Sequence, residues 1–509
     1  MITKSDPDQI QSYLRDASYS KGGHASSVMF PENAQEVAEI LADATREGTA
    51  ITVSGAGTGT VGGRVPFGGV VLATDKLNEI RSLIREEGGG RAVAEAGVIL
   101  GDLQRFVERE GLLYPPDPTE RSCFLGGNIA TNASGSRTFK YGPTRNYVER
   151  LKLALATGEL LDLRRGDLHA DANGRIEIAL PSDRKIEAQL PSYQMPQVRK
   201  NASGYYVAPG MDVLDLFIGS EGTLGVIVEA EVKLLPKPEG LLSGVVFFAS
   251  SEALLAFVAD ARSASLKTRQ NHQAVVVEAG SLNQSTSIDA RALEYFDSES
   301  LAFLRQKYDA VPAQAVGAVF FEQETTLATE DALMTQWLAL LERHHALADE
   351  SWFATTGQDQ EKLREFRHQL PVLMNEWFAR YNQRKVSTDM AVADEEFAGM
   401  LKFYDGTLRA SDLRYTIFGH IGDNHVHVNI LPRDDGEAAR AWDIYLQFIR
   451  RAVRVGGTVS AEHGIGKLKR EYLQELYGEK HLREMAVLKR AFDPAGILGR
   501  GNIFAEEFL

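Results

Sequence analysis

The stretch Ala50-Ile51-Thr52-Val53-Ser54-Gly55-Ala56-Gly57-Thr58-Gly59-Thr60-Val61-Gly62-Gly63 runs a short β-branched strand directly into glycines. A second strand, Gly69 to Thr74, follows, so the glycine-rich segment connects strand to strand. That placement excludes the strand-to-helix turn of a Rossmann dinucleotide site. Successive residues without side chains instead leave backbone N–H groups uncovered, as a pyrophosphate cradle requires. Gly55, Ala56, Gly57, Thr58, Gly59, Gly62 and Gly63 are the candidates for that role. Taken alone, they are equally well read as tight turns.

Two more segments share this composition. One contains Pro115-Pro116-Asp117-Pro118, then Gly126-Gly127-Asn128-Ile129-Ala130-Thr131-Asn132-Ala133-Ser134-Gly135, then Tyr141-Gly142. The other, Gly219-Ser220-Glu221-Gly222-Thr223-Leu224-Gly225, enters a strand that includes Ile227. Small residues at this density admit a flat ring or a phosphate to the backbone, and Asn128, Thr131, Asn132 and Ser134 offer hydrogen bonds. One large nucleotide cofactor touching all three segments is more economical than three unrelated turns.

Four of the eleven histidines fall between residues 420 and 463. His427 and Asn429 alternate with Val426, Val428 and Ile430, so a strand would turn the polar side chains to one face. His420 precedes them across a Gly-Asp-Asn turn, and Ser460-Ala461-Glu462-His463-Gly464 follows. Two imidazoles and a carboxylate hold a borderline divalent ion with positions left open for substrate, and a spare histidine beside them could move protons. Each histidine taken singly is also readable as a hydrogen-bonded polar group of the core or surface.

The whole chain sets the bounds. Its 509 residues, 44% hydrophobic and 25% charged, suggest two to four domains with sizeable cores. A formal charge of -15, from 55 basic and 70 acidic residues, repels nucleic acid. The single cysteine, Cys123, excludes an intrachain disulfide and an iron–sulfur cluster held by this chain alone. No signal peptide opens the sequence, and no stretch approaches the roughly 18 apolar residues of a membrane span. The expectation is a cytoplasmic protein, with peripheral docking at a membrane surface left open and a homodimer compatible with the composition.

Residues 1–240 read as one α+β domain closing on Leu234-Leu235-Pro236-Lys237-Pro238-Glu239-Gly240. Within it, Val37, Ile40, Leu41 and Ala44 predict a helix capped by Asn33, with Glu36 in capping-box position and Gly48 as its stop. Strands are expected at Ala92–Ala96, Leu151–Ala156 and Gly225–Leu235, and a loop excursion between about 164 and 212. Residues 241–455 read as a second α+β domain carrying the histidine strand, with a strand at Leu242–Phe248 and a helix at Ala328–Ala346. A helix there is expected to bury Trp442, Tyr445, Ile449 and Val453. Residues 456–509 complete the site and end in a helix of about 480–492.

These motifs together resemble the vanillyl-alcohol oxidase and p-cresol methylhydroxylase flavoproteins, in the branch of FAD-linked D-2-hydroxyacid dehydrogenases. That branch includes D-lactate dehydrogenases, glycolate oxidase catalytic subunits and D-2-hydroxyglutarate dehydrogenases. The resemblance, over roughly residues 25–505, implies a two-subdomain FAD-binding domain of p-cresol methylhydroxylase type and an α+β cap domain with an antiparallel sheet. It implies FAD held by the three glycine-rich segments. Covalent relatives use a histidine near the first loop, and none stands between His24 and His169, so non-covalent FAD is expected.

The resemblance also carries the metal ligands to His420, His427 and Glu462, with zinc or manganese as the ion. It carries the base to His463, a substrate contact to Asn429 and a carboxylate-binding guanidinium to Arg367. By this analogy, hydride passes from C2 of a D-2-hydroxyacid to the flavin, and a quinone, cytochrome or electron-transferring flavoprotein then receives the electrons. Three departures stand out. Relatives usually read Gly-Asp-Gly-Asn where this chain has Gly422-Asp423-Asn424-His425, leaving His425 open as ligand, second layer or filler. Pro371 and Ser387 stand where D-2-hydroxyglutarate enzymes carry a threonine and a lysine, with Lys385 close by, and Ser387-Thr388-Asp389 is similar to D-lactate enzymes. Gly499-Arg500-Gly501-Asn502 replaces Asn-Pro-Gly-Lys, which puts an asparagine contact to the flavin in doubt. The rival readings are an alkyl-dihydroxyacetone-phosphate synthase-type flavin transferase and a non-catalytic electron-transfer subunit.

Overall fold

The computed structural model describes residues 1–276 and 286–509. The two strands flanking the first glycine loop, Ile51–Ser54 and Val70–Ala73, lie parallel with Ile51 opposite Val70. Ser27–Phe30 runs parallel on the other side, and Ile2–Lys4 closes that edge antiparallel. Helix Ala34–Glu47 buries Val37, Ile40, Leu41 and Ala44 against this sheet because those positions share one helical face. Asn33 accepts from the Glu36 N–H at 3.0 Å, and Gly48 stops the helix with φ 69°. The expected capping box is displaced by one residue, since the Glu36 carboxylate accepts from the N–H of Glu32 at 2.9 Å rather than from Asn33.

A second, antiparallel sheet orders Ile80–Glu86, Gly89–Glu95, Val226–Pro236, Val148–Ala154 and Leu160–Arg164. The chain leaves it at Pro236 and enters a third sheet at Gly240–Phe248. That sheet has seven antiparallel strands, ordered Trp352–Ala354, Gly240–Phe248, Gly317–Thr325, Ala290–Asp297, Tyr415–Gly419, His427–Ile430 and Val386–Ser387. No helix among the described residues is long and apolar enough to cross a membrane.

Three expectations are corrected. The loop excursion contains a hairpin, Arg175–Ala179 with Lys185–Gln189, whose alternation buries Ile176, Ile178, Ile186 and Ala188. Helix Asp435–Arg454 turns Ala441, Ile444, Tyr445, Phe448, Ile449 and Ala452 inward, leaving Trp442 45% exposed and stacked on Tyr445. Alanines complete this face, which the choice of large side chains alone had rotated. The expected helix of about 480–492 is present, but a further helix precedes it within Arg470–Phe492, the two meeting at Gly478, where φ 75° and ψ 164° suit glycine alone.

The final segment returns to the first sheet. Ile51 N–H donates to Ile497 O at 2.8 Å, and Gly499 N–H donates to Ile51 O at 2.9 Å. Lys489, buried, pins this return by donating to Asp493 Oδ2 at 2.6 Å and to the carbonyls of Thr223 and Leu498 at 2.8 Å each. Replacing Lys489 by alanine strands the buried Asp493 carboxylate without its cation, at a cost of about 3–5 kcal/mol. Thermal denaturation of Lys489→Ala should therefore show a clearly lowered midpoint, and an unchanged midpoint would contradict this pinning.

Candidate active site

All three glycine-rich segments converge on one cleft. Gly55, Ala56, Gly57, Thr58, Gly59 and Gly63 line it from the first, Gly126, Gly127, Asn128 and Thr131 from the second, and Glu221, Gly222 and Ile227 from the third. At Gly59 and Gly127 an added Cβ would meet no protein atom within 4 Å, so hydrogen at those positions keeps ligand space open. Asn128 Nδ2 is buried on the cleft wall beside Cys123, with no strong oxygen or nitrogen acceptor among the described residues. Gly57 has φ +83°, and the Arg64 guanidinium lies 2.6 Å from where its Cβ would stand. These features fit an extended nucleotide cofactor.

Nine of the expected cofactor residues do not line the cleft. Gly62 faces Ser20 and Leu468, and the Pro116 carbonyl accepts from Gln104. Asp117 pairs with Arg121 and Arg137. Gly135 packs where a Cβ would stand 2.0 Å from Asp117 O and 3.1 Å from Pro118 N, so its small size serves chain packing. Asn132 caps Arg145 N–H at 3.0 Å, Tyr141 donates to Glu324, and Gly142 turns with φ 77°. Ser134 points to Glu462, described below. Conversely, Asn502 does reach the cleft wall, donating to Gly63 O at 3.0 Å and Glu221 O at 3.2 Å. Burial pushes the Glu221 carboxyl up to about 7 while it accepts from the N–H groups of Ile465 and Gly466 at 2.6 Å each.

Beside this cleft, Glu462 is divided between two kinds of neighbour. Its Oε1 accepts from Lys200 Nζ at 2.6 Å and from Ser134 Oγ at 3.1 Å. Its Oε2 faces His420 Nε2 at 3.2 Å, His427 Nε2 at 3.7 Å and His425 Nδ1 at 4.0 Å. His420 turns its other nitrogen to Glu294 at 2.6 Å, and His427 turns its Nδ1 to Thr388 O at 2.8 Å. Outward Nδ1–H bonds of this kind leave both Nε2 lone pairs directed inward, the arrangement of metal-bound histidines. Despite its burial, Glu462 is held well below the usual carboxylate range by His420 and Lys200. A persistent anion ringed by imidazoles fits a divalent cation.

His463 joins the two regions. It lines the cofactor cleft, and its ring stacks on His427 with centroids 5.5 Å apart. Its Nδ1 is 3.2 Å from Asp389 Oδ2. With the proton on Nδ1, Nε2 is left as the basic nitrogen. Asp389 is fully buried and also accepts from Ser460 Oγ at 2.7 Å, Lys469 Nζ at 2.5 Å and the N–H of His463 at 3.1 Å. Burial alone would raise its pKa, but the charges of His463 and Lys469 hold it well below normal.

Two other expected residues lie close by. Arg367 grips Glu294 Oε2 through Nε at 3.1 Å and Nη2 at 2.9 Å, while Nη1 has only a 3.5 Å contact with His368. Asn429 is buried, donates to His427 O at 3.3 Å and has no partner for Oδ1 among the described residues. Sequence reasoning missed Lys200, Asp389 and Glu294. An acid opening the apolar run Met390-Ala391-Val392 was the available signal for Asp389; Lys200 lies in the irregular, proline-rich stretch after the hairpin of the excursion, where no period runs.

Comparison with known proteins adds the lineage. Residues 238–503 match the family described as FAD linked oxidases, C-terminal domain, and residues 25–164 match the FAD binding domain. The chain belongs to the FAD-linked oxidases. A D-lactate dehydrogenase from Anaerostipes hadrus is 30% identical, covering 92% of this chain and 87% of its own. A glycolate oxidase subunit from Bacillus subtilis (strain 168) is 29% identical, covering 97% and 92%. A D-2-hydroxyglutarate dehydrogenase from Stutzerimonas stutzeri (strain A1501) is 27% identical, covering 98% and 96%. An alkyldihydroxyacetonephosphate synthase structure, at 15% identity and TM-score 0.66 over 98% of this chain and 82% of that one, shares the fold. This FAD-linked oxidase therefore has the vanillyl-alcohol oxidase and p-cresol methylhydroxylase architecture.

The cleft geometry predicts that Gly127→Leu folds normally, because its Cβ meets no protein atom, yet purifies without flavin. Flavin absorbance and circular dichroism check this; full FAD content would show that the side chain does not occupy the cofactor's space.

Proposed function

We propose that this FAD-linked oxidase dehydrogenates a D-2-hydroxyacid to the 2-oxoacid, with a D-lactate-like monocarboxylate as the favoured substrate. The observation that carries the reading is the position of His463, on the wall of the cofactor cleft and stacked on one of the imidazoles facing Glu462. The relatives' names, D-lactate dehydrogenase, glycolate oxidase subunit and D-2-hydroxyglutarate dehydrogenase, support the substrate class. Glycolate and D-2-hydroxyglutarate are the alternatives within it. Ser387, where the dicarboxylate enzymes carry a lysine, supports the monocarboxylate.

When bound, FAD supplies a two-electron acceptor, and a zinc or manganese ion held by His420, His427 and Glu462 supplies a Lewis acid for the hydroxyl and carboxylate oxygens. The chain's own groups do the rest. His463 Nε2 takes the hydroxyl proton, with Asp389 fixing the ring through Nδ1 and stabilising the imidazolium formed. Lys200 and Ser134 hold Glu462 by Oε1, so that Oε2 stays turned to the imidazoles. Arg367, steadied by Glu294, offers to the substrate carboxylate its Nη1 edge, which has the long contact with His368, and Asn429 Oδ1 is available to a substrate hydroxyl. Electrons then pass to an external acceptor such as a quinone, cytochrome or electron-transferring flavoprotein.

His463→Gln should keep its FAD but reduce the flavin with substrate about 10²–10⁴-fold more slowly in anaerobic stopped flow. Near-normal reduction would remove the base assignment. Across D-lactate, glycolate, D-2-hydroxyglutarate and L-lactate, the fastest bleaching is expected with D-lactate and none with L-lactate; faster reduction by D-2-hydroxyglutarate would reassign the substrate. Arg367→Met should raise KM for the acid by at least about tenfold with a smaller change in kcat, as loss of ground-state binding requires. An unchanged KM would exclude the carboxylate contact.

A further inference from the structure

The turn before the histidine strand departs from the relatives' pattern at the residue that faces Glu462. Asn424 takes the left-handed conformation, φ 54°, where the pattern has glycine, and asparagine tolerates it. The next residue, His425, is fully buried. Its Nε2 lies 3.1 Å from Asp389 Oδ1, and neither ring nitrogen has a hydrogen-bond partner of good geometry among the described residues. That Nδ1 lies 4.0 Å from Glu462 Oε2.

We infer that His425 is a third imidazole ligand, making the site a three-histidine, one-glutamate set of His420, His425, His427 and Glu462. The inference rests on the metal reading given above. Each of the four offers a ligand atom, and these atoms all lie within 4.8 Å of one another. Atoms about 2.1 Å from a shared ion stand about 3–4.2 Å apart, and the contacts of Glu462 Oε2 at 3.2, 3.7 and 4.0 Å fall in that range.

Two further features support the assignment. As mere filler, His425 would bury an unpaired ring nitrogen, at a cost of about 1–3 kcal/mol that an apolar residue would avoid. A carboxylate also stands behind its far nitrogen, the usual second partner of a metal-bound imidazole. That carboxylate is Asp389, which holds His463 as well. One buried anion thus positions both a ligand and the base, through separate oxygens, Oδ1 and Oδ2.

The extra nitrogen has a chemical consequence. Imidazole-rich sets favour zinc over manganese, which prefers oxygen donors.

The test uses metal binding rather than turnover. Full-length, FAD-loaded wild type and His425→Asn, which restores the residue usual in relatives, are stripped of metal and titrated separately with zinc and manganese. X-ray absorption spectroscopy then counts imidazoles around the bound zinc. The expected result is three imidazoles in the wild type and two in His425→Asn, with the zinc-over-manganese preference falling by about tenfold or more. Two imidazoles in the wild type overturn the inference while leaving the metal reading intact, whether or not the variant folds. A wild type that binds neither ion stoichiometrically overturns the metal reading itself, and this inference with it.

Discussion

The structure turns on how the Glu462 carboxylate is divided. One oxygen is neutralised by the buried ammonium of Lys200 and the hydroxyl of Ser134, while the other is left to imidazoles. A buried anion that is only half satisfied by fixed donors is costly unless a cation completes it. The carboxylate therefore does more than supply one ligand. Its neighbours come from the second glycine-rich segment, the proline-rich excursion and the histidine strand, so the site forms only when all of these parts of the chain have assembled around it.

The same assembly fixes the distance between the histidine–glutamate cluster and the cofactor cleft. Glu462 and His463 are adjacent in sequence, so one side chain meets the imidazoles while the next enters the cleft. The C-terminal segment that carries them is held at Glu221 by two backbone N–H groups, at Asn502 by two carbonyls and at Lys489 by the carbonyl of Thr223. Rigid attachment at three points suits a reaction in which proton and hydride leave neighbouring atoms of one substrate.

Much of this was legible in the sequence. Glycines between two β-branched strands identified a non-Rossmann cofactor loop, and the strand pairing Ile51–Ser54 with Val70–Ala73 is what that reading requires. The period-two alternation at His427 and Asn429 placed His427 on a strand, as found. What the sequence hid were long-range partnerships of charge. Lys200 lies 262 residues from Glu462, and Asp389 lies 74 from His463, with no local period to connect them. Part of the second segment has protein partners of its own. Asp117, Gly135 and Tyr141 are there for ion pairing, close packing and a hydrogen bond to Glu324, roles that small and polar residues perform as readily as cofactor contact.

The central claim is that an ion bound beside Glu462 is needed for the chemistry at the flavin. The direct measurement is anaerobic mixing of D-lactate with enzyme stripped of metal by a chelator but retaining FAD. The flavin should stay oxidised, and added zinc or manganese should restore its bleaching. Bleaching at the full rate in the metal-free protein would contradict the account.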